Sequence, residues 1–214
     1  MAASVPAEPD RLPRTARGKE TRRKLLDAAA AEFAENGFHV GSISAITRRA
    51  GAALGTFYTY FESKDAIFRA LVAEMSEAVR VAAREAVTPG MPPLEVERAA
   101  LGAFLAFAAD HKEIYRIIDE AEFVDPASYR QHYETTAARI GERLAAGAAA
   151  GAYREGLGEV EAWAIMGMNV FLGLRFAIWA RDGDAPHGAI AGAANALLGR
   201  GIGATPEPRA PFAG

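Results

Sequence analysis

The chain has 214 residues, of which 50% are hydrophobic and 24% are charged, so it is long enough to bury a core and has the composition of a globular protein. It contains no cysteine, which excludes disulfides, thiol nucleophiles and cysteine-ligated zinc. The formal net charge is −3, but residues 1–69 hold 11 basic and 8 acidic residues while residues 70–214 hold 13 and 19. This asymmetry predicts that only the N-terminal third meets a polyanion.

Both ends of the chain are expected to be flexible tails. Residues 1–18 are rich in proline and alanine and contain no apolar run typical of a secretory signal, and residues 199–214 are rich in glycine and proline. The most apolar segment, residues 162–174, has 13 residues and contains Asn169, whereas a membrane span needs roughly 18–20 apolar residues. We therefore expect a buried helix there, a cytoplasmic protein and no membrane partner.

Helical periodicity predicts four helices in the first 87 residues. Their expected ranges are Thr21–Asn36, Ser42–Ala50, Leu54–Phe61 and Lys64–Val87. Gly37 and Gly51 follow the first two helices, where a glycine takes backbone angles that other residues adopt at a cost. Ser42 and Ser63 are predicted to be N-caps, since their hydroxyl groups accept hydrogen bonds from the first free amides of a helix.

The remainder of the chain is also predicted to be helical, because β-branched residues never occur in alternating runs. The five expected helices are Leu94–Asp110, Lys112–Glu122, Ala127–Ala150, Glu159–Arg181 and His187–Leu198. The fold class is therefore all-α.

Two short helices joined by a turn at Gly51 are typical of a helix-turn-helix. The side chains expected to form its small core are Ile43, Ile46, Leu54 and Phe57. The second helix then presents residues that are small or carry a hydroxyl group: Gly55, Thr56, Tyr58, Thr59 and Tyr60. Such residues approach DNA closely and donate hydrogen bonds to phosphates or base edges.

The N-terminal sequence resembles the TetR/AcrR family of bacterial regulators. The resemblance rests on residues 21–29, on Phe33, Gly37 and residues 42–51, and above all on the run Leu54-Gly55-Thr56-Phe57-Tyr58-Thr59-Tyr60-Phe61-Glu62-Ser63-Lys64-Asp65-Ala66-Ile67. It implies a three-helix helix-turn-helix DNA-binding domain over residues 19–66. An α-helical ligand-sensing and dimerisation domain would follow over residues 67–198.

The resemblance also implies which residues contact DNA: Ser42, Ser44, Thr47, Arg48, Gly55, Thr56, Tyr58, Thr59, Tyr60 and Lys64. The alternative for Tyr58 and Tyr60 is amphipathic packing, and for Arg48 and Arg49 it is a solvated face. Lys64 lies in the first turn of a helix, where a cation is unfavourable by a few tenths of a kcal/mol toward the helix dipole. A phosphate partner would explain its position.

The last two predicted helices are the best candidates for a dimer interface, because the helix from Glu159 is apolar around most of its circumference. The residues assigned to the interface are Met168, Phe171, Leu172, Phe176, Trp179, Ala194 and Leu197. The resemblance implies a four-helix bundle between two subunits. The alternative is that these side chains form only an intramolecular core.

Aromatic and polar residues of the middle helices are candidates for an effector site. The assigned residues are Phe104, Phe107, Tyr115, Asp119, Phe123, His132, Tyr133, Trp163, Asn169 and Arg175. Aromatic stripes of this kind also occur as ordinary core. Arg175 interrupts an apolar helix and needs a partner, for which Asp119, Glu120 or an anionic ligand is expected.

These features predict a homodimeric regulator that is a repressor released from a palindromic double-stranded DNA operator by a small hydrophobic or amphipathic effector of unknown identity. The alternatives are a helical scaffold or an enzyme. The sequence contains no histidine pair at i, i+4 and no HExxH, GxSxG or Walker motif. We therefore expect no catalytic residue, no metal site and no cofactor.

Overall fold

The computed structural model describes residues 12–203, and within this range the chain forms nine α-helices and one π-helical turn. The α-helices are α1 (Ala16–Val40), α2 (Ile43–Ala50), α3 (Leu54–Tyr60), α4 (Lys64–Glu85), α5 (Pro93–Asp110), α6 (Glu113–Val124), α7 (Pro126–Ala149), α8 (Glu159–Gly173) and α9 (His187–Ile202). The only β geometry in the described part is an isolated bridge between Tyr153 and Gly203. The all-α prediction is confirmed.

The ranges expected to be flexible tails overlap the start of α1 and the end of α9. Helix α1 begins at Ala16, because the hydroxyl group of Thr15 accepts a hydrogen bond from the amide of Gly18 (3.1 Å) and caps the helix. Helix α9 continues to Ile202, whose carbonyl oxygen accepts from the amide of Arg154 (2.9 Å). The prediction of flexible chain at residues 16–18 and 199–202 was therefore wrong, while residues 1–11 and 204–214 lie outside the described range.

The described chain divides into two compact units. The N-terminal unit contains residues 12–76 and 113–130, and therefore α1 to α3, the first half of α4, and α6. The C-terminal unit contains residues 77–112 and 131–203. The proposed separation of DNA binding from sensing near residue 66 is a functional division, and it stays a prediction.

The core of the N-terminal unit is rich in aromatic side chains. Phe33, Phe38 and Phe68 contact one another with ring centroids 5.0–5.6 Å apart, in tilted and edge-to-face geometries that aromatic quadrupoles favour. Phe57 and Phe61 are also buried, with ring centroids 5.7 Å apart. These contacts bury apolar side chains of α1, α3 and α4.

The helix-turn-helix has the predicted caps but a smaller core than predicted. Ser42 Oγ accepts from the amide of Ala45 (3.2 Å), and Gly51 adopts a left-handed conformation (φ 62°, ψ 31°) at the end of α2. Ile46 and Phe57 are fully buried, whereas Leu54 is 50% exposed. The assignment of Leu54 to the core was wrong, because the spacing of apolar residues in a helix of two turns does not fix which face is covered.

In the C-terminal unit, α5, α8 and α9 bury a cluster around Leu105 and Ala191. A second cluster forms around Leu144 and Met166 with the ring of Tyr153. A Cβ atom on Gly147 would lie 2.2 Å from the Tyr153 ring, so this position of α7 admits only glycine.

The predicted helix Glu159–Arg181 is interrupted. Helix α8 ends at Gly173 and is followed by a π-helical turn, Leu174–Ile178, in which the amide of Trp179 donates to the carbonyl oxygen of Leu174 (2.9 Å). By length and composition the helical segment Glu159–Ile178 is able to cross a membrane, but only 28% of its most apolar window is buried. Core helices meet the same criterion, so this property does not distinguish a membrane span from a helix that packs on protein.

Candidate nucleic-acid interface

Helix α2 presents part of the predicted contact set to solvent. Ser44 and Arg48 are exposed, and no ion pair engages Arg48 among the described residues. Ser42 is exposed as well, although its hydroxyl group already caps the helix. Thr47 is buried, and its hydroxyl group donates to the carbonyl oxygen of Ser44 within α2 (3.1 Å). Its side chain therefore stabilises the helix and is not presented to solvent.

Helix α3 is buried at Phe57 and exposed at Gly55, Tyr58 and Thr59, as predicted for a recognition helix. A Cβ atom on Gly55 would meet no neighbouring atom within 4 Å. Thr56 is half-buried, and the hydroxyl group of Thr59 donates back to the carbonyl oxygen of Gly55 (3.2 Å). The backbone of α3 at Gly55 is therefore open to solvent and able to approach another surface closely.

Tyr60 lies at the end of α3 and is half-buried. A Cβ atom on Gly18 would lie 3.5 Å from its hydroxyl oxygen, so this hydroxyl group is adjacent to the first turn of α1. The exposed cations Arg17 and Lys19 flank Gly18 in the same turn. The start of α1 thus adds positive charge beside the recognition helix.

Arg48 and Arg49 are adjacent in sequence but have different surroundings. Arg49 Nε lies 3.0 Å from Glu32 Oε2, and the same guanidinium group pairs with Glu35. The side chain of Glu32 is only 6% exposed, so its charge requires this partner. Arg49 therefore joins α2 to α1, and Arg48 is the one of the two that is available for a contact.

Lys64 has three acceptors within the protein. Its Nζ donates to the carbonyl oxygens of Phe38 (2.7 Å) and Gly41 (2.9 Å) and lies 3.4 Å from that of His39. The ammonium group also lies 4.4 Å from the ring centroid of Phe38. These contacts explain a lysine in the first turn of α4 without a phosphate, so the argument that assigned it to DNA no longer holds.

The end of α1 is also held by α6, which sequence reasoning missed. The kink lies at Gly37 (φ 76°, ψ 166°), a positive φ as expected but with an extended ψ. The amide of Phe38 donates to Glu120 Oε2 (2.8 Å), and the guanidinium group of Arg116 donates to the carbonyl oxygen of Ala34. Arg116 Nε lies 3.6 Å from Glu120 Oε1. We call Gly37, Phe38, Arg116 and Glu120 the α1–α6 junction.

The residues predicted to line an effector site fall in both units. Tyr115, Asp119 and Phe123 belong to the N-terminal unit, and Phe123 is 80% exposed. Asp119 is also exposed at its surface, although partial burial and the neighbouring Glu122 raise the pKa of its carboxyl group. Phe123 and Asp119 are thus not part of a buried effector site.

The other seven residues of this set belong to the C-terminal unit: Phe104, Phe107, His132, Tyr133, Trp163, Asn169 and Arg175. Burial, together with the charge of Arg139, lowers the pKa of His132 to about 4, so His132 is neutral near pH 7. The Oδ1 atom of Asn169 is buried and accepts no hydrogen bond from the described residues. A donor group on a ligand would satisfy it.

Arg175 does not pair with Asp119 or Glu120, so that prediction was wrong. Its two terminal nitrogens lie 2.8 and 2.9 Å from the carboxylate of Asp184, nine residues later in the chain. The guanidinium group of Arg175, followed by the backbone amide of Arg181, lowers the pKa of Asp184 to about 2. The Arg175 fork is therefore occupied by a nearby carboxylate and does not require an anionic ligand.

The predicted dimer residues fall into an exposed and a packed set. Phe171 is 70% exposed, Trp179 59% and Leu197 65%. Met168, Leu172 and Phe176 are partly buried against the α5–α9 cluster, and Ala194 is buried. The apolar side chains of this set are thus covered within their own unit at some positions of α8, the π-helical turn and α9, and open at Phe171, Trp179 and Leu197.

A buried ion pair in the C-terminal unit was also missed by sequence reasoning. Arg143 contacts Glu97 in bidentate geometry (2.6 and 2.9 Å), and the Glu97 side chain is almost fully buried. Burial, followed by the charge of Glu97, raises the pKa of Tyr153 to about 12. The pair joins α5 to α7, 46 residues apart in sequence, and local periodicity carries no signal for it.

The sequence of the helix-turn-helix region matches a family model. The description of that family is "Bacterial regulatory proteins, tetR family", and the match spans residues 25–71, which include all of α2 and α3. Residues 25–71 therefore form a domain of the tetR family. The resemblance inferred from the run Leu54–Ile67 is thereby confirmed.

Two relatives show how much of the chain has a similar sequence in a known regulator. It is 45% identical over 64 residues to the HTH-type transcriptional regulator YdgC of Bacillus subtilis (strain 168), covering 30% of this chain and 33% of that protein. It is 30% identical over 115 residues to the HTH-type transcriptional activator FasR of Mycolicibacterium smegmatis, covering 54% and 51%. The chain thus spans about a third to a half of the length of these relatives.

The tetR-like fold extends over both units. A solved structure of the transcriptional regulator FadR from Bacillus subtilis, in complex with stearoyl-CoA, matches with a TM-score of 0.70 at 21% identity and covers 82% of this chain and 96% of that one. This similarity shows the fold alone. Because the relatives are transcriptional regulators, the family is one of regulators and not of enzymes.

Proposed function

We propose that this tetR-family chain is a ligand-responsive, cytoplasmic DNA-binding regulator that represses from a palindromic operator. The observation that carries the proposal is the exposed face of α3 around Gly55 and Tyr58, in a domain of known family. Helix-turn-helix proteins place this second helix in the major groove. The DNA-binding domain is proposed to span residues 19–66.

The proposed DNA contacts follow from exposure. Ser44, Arg48 and Tyr58 are exposed beside the smooth stretch at Gly55 and Thr56. Arg48 and Ser44 would hold phosphates, which positions the helix, while α3 meets the bases. The half-buried Tyr60 and the capping Ser42 remain candidates for phosphate contact, whereas Thr47, Thr59 and Lys64 already donate hydrogen bonds within the protein.

The proposal includes a homodimer, because one helix-turn-helix reads too short a site for specific binding. The open apolar face at Phe171, Trp179 and Leu197 supports it, since exposed side chains of this size mark interaction sites. A symmetric pair of these faces would bury α8 and α9 of both subunits. It would also cover the apolar segment that otherwise has the composition of a membrane span.

The proposed effector is a small hydrophobic or amphipathic molecule bound within the domain of residues 67–198. Aromatic side chains at Phe104, Phe107 and Tyr133 and the unpaired Oδ1 of Asn169 support this class. Long-chain acyl-CoA esters are the first compounds to test, since the FadR structure of the same fold contains stearoyl-CoA. The occupied Arg175 gives no support for a contact with their anionic part.

The α1–α6 junction is the proposed route from effector to DNA. Helix α6 is separated from α5 by His111 and Lys112, and from α7 by Asp125 alone. Both α5 and α7 carry residues of the proposed effector set, so a change in either is passed along the chain to α6. Glu120 and Arg116 would then move the end of α1, to which α2 is attached. Coupling of this kind amounts to about 1–3 kcal/mol.

The experiment that tests the proposal is fluorescence anisotropy of the purified protein with DNA from upstream of its own gene and with sites selected from random DNA. We expect competitor-resistant binding at nanomolar concentrations at physiological salt. Release by an acyl-CoA ester, but not by free coenzyme A, would support the effector class. Failure to enrich any sequence from the random pool would overturn the proposed function.

A further inference from the structure

The recognition helix contains none of the side chains that most often read bases. Residues 52–60 include no Arg, Lys, Asn, Gln, His, Asp or Glu. Guanine is usually read by Arg or Lys and adenine by Asn or Gln, each through two hydrogen bonds. Direct readout by α3 therefore depends on hydroxyl groups and on apolar contact.

The hydroxyl groups on α3 offer few donors. Thr59 already donates to the carbonyl oxygen of Gly55, and Thr56 is half-buried. Tyr58 is exposed, but a tyrosine hydroxyl group reaches far from its own backbone and serves a phosphate as well as a base. Hydrogen bonds from α3 therefore distinguish the four base pairs poorly.

Leu54 is an apolar side chain with no place in the core. It is the first residue of α3 and is 50% exposed, whereas Phe57 three residues later is fully buried. Ala53 before it and Gly55 after it are also exposed and small. A Cβ atom on Gly55 would meet nothing within 4 Å, so the backbone beside Leu54 can approach a flat surface closely.

The major groove offers one apolar group to such a side chain, the C5-methyl group of thymine. We propose that Leu54 is a specificity-determining residue that selects thymine in each operator half-site by contact with this methyl group. The inference rests on the proposed function, because it requires α3 to enter the major groove. It adds the chemistry of recognition to that function: an apolar contact in place of paired hydrogen bonds.

The test uses duplexes selected by the wild-type protein from random-sequence DNA. Each thymine in a selected site is replaced, one at a time, by deoxyuridine, which lacks only the methyl group. Anisotropy then measures affinity for wild type and for Leu54→Ala. We expect one thymine position in each half-site at which deoxyuridine weakens wild-type binding about fourfold, the value of one buried methyl group. In Leu54→Ala the same replacement should change affinity less than about 1.5-fold.

Two matched variants control for general effects. Leu54→Met keeps an apolar side chain, so the deoxyuridine penalty should persist. Val40→Ala shortens another exposed apolar residue of the N-terminal unit and should leave every penalty unchanged. Because Leu54 is half-exposed, its variants are expected to fold, and thermal unfolding checks this.

The outcomes separate this inference from the proposed function. If wild type selects a sequence but Leu54→Ala shows the same deoxyuridine penalties, or if no thymine shows a penalty, the role of Leu54 is overturned while the regulator remains. If no sequence is enriched at all, the proposed function itself fails and the role of Leu54 fails with it.

Discussion

Lys64 Nζ lies 2.7 Å from the carbonyl oxygen of Phe38 and 4.4 Å from the centroid of the ring of that residue. The first residue of α4 thus caps the last turn of α1 with a charged donor. In sequence, the helix-turn-helix lies between these two residues. Free carbonyl groups at a helix end need such partners. The ammonium group stabilises the turn that leads from α1 into α2.

We expect Lys64→Ala to lower the free energy of unfolding by about 2 kcal/mol, because hydrogen bonds to a charged group contribute about 1.5–3 kcal/mol each and water replaces part of them. Arg48→Ala is the matched control, since it removes an exposed cation that forms no ion pair with residues 12–203 and should leave stability within about 0.5 kcal/mol. Urea unfolding measures both. In DNA binding the order should reverse: Arg48→Ala lowers the salt slope by about one unit, and Lys64→Ala leaves it unchanged.

Gly55→Ala should separate folding from binding. The backbone at Gly55 does not have a positive φ and space is open around it, so alanine fits and should raise the free energy of unfolding by up to about 0.5–1 kcal/mol. The added methyl group would keep α3 from its closest approach to DNA and weaken operator binding. Unfolding curves and anisotropy together check this. A variant that is stabilised and binds with unchanged affinity would show that α3 does not approach bases at residue 55.

Gly37→Ala and Gly51→Ala form a matched pair. Both glycines have a positive φ, so each substitution introduces backbone strain: about 1 kcal/mol at Gly51, which is left-handed, and up to about 3 kcal/mol at Gly37, whose ψ of 166° lies in a region that only glycine favours. At Gly51 the new Cβ atom meets nothing within 4 Å, whereas at Gly37 it would lie 2.7 Å from Glu120 Oε1. Gly37→Ala should therefore be the more destabilising of the two.

The same pair tests the α1–α6 junction. Glu120→Ala, which removes the clashing carboxylate, should recover part of the loss in a Gly37→Ala background and none of it in a Gly51→Ala background. Differential scanning calorimetry of wild type, the three single variants and the two double variants gives the coupling. Equal destabilisation at both glycines, with no recovery, would mean that the junction does not hold α1 against α6.

Phe171→Asp should produce monomers if the open face of α8 forms the dimer interface. The side chain is 70% exposed in the single chain, so the substitution adds a charge without disturbing the core of its own unit. Sedimentation velocity measures the change in mass, and operator binding should weaken because one half-site remains. Leu105→Ala, a fully buried change, is the control that lowers stability without this specific dissociation. A persistent Phe171→Asp dimer would place the interface elsewhere.

His132 predicts a loss of stability in weak acid. Its pKa is lowered to about 4 in the folded protein from 6.5, so the unfolded chain binds more protons between these values. The free energy of unfolding that depends on a neutral His132 is therefore fully present above about pH 6.5, and it declines as the pH falls toward 4. Between pH 7.5 and 5 it amounts to about 2 kcal/mol.

His132→Gln removes this titration while keeping a polar side chain. The difference in unfolding free energy between wild type and variant should become smaller, or change sign in favour of the variant, as the pH falls from 7.5 to 5. Urea unfolding at both values measures it. Parallel pH profiles for wild type and His132→Gln would contradict the assignment.

The sequence was sufficient to predict the number of α-helices in the described range, several of their ends and the family resemblance. Serines at positions 42 and 63 and the glycine at 51 mark helix ends by local hydrogen bonds and backbone angles, so they are readable within a few residues of chain. The motif around Gly55 and Tyr58 identifies the family because buried and exposed positions alternate within one short segment and each position accepts few residue types.

What was missed depends on contacts between residues distant in sequence. Arg48 and Arg49 are equivalent by sequence pattern, but only Arg49 forms an ion pair with Glu32, which lies 17 residues earlier in the chain. Glu120 reaches Phe38 over 82 residues. The burial of Leu54 could not be predicted either. A helix of two turns has too few apolar residues to determine which side the rest of the protein covers. Residues that read DNA, bind an effector or form a dimer are likewise set by partners beyond the single chain.

The π-helical turn at Leu174–Ile178 makes the surface after it tolerant of a change in chain length. The amide of Trp179 bonds to the carbonyl oxygen five residues earlier, so this turn contains one residue more than a regular α-helix accommodates. In a regular α-helix the loss of one residue rotates everything beyond it by about 100°. Here the loss of the extra residue would restore regular winding and leave the residues beyond the turn facing the same way, so two homologous chains that differ by one residue at this point would present the same side chains to a partner.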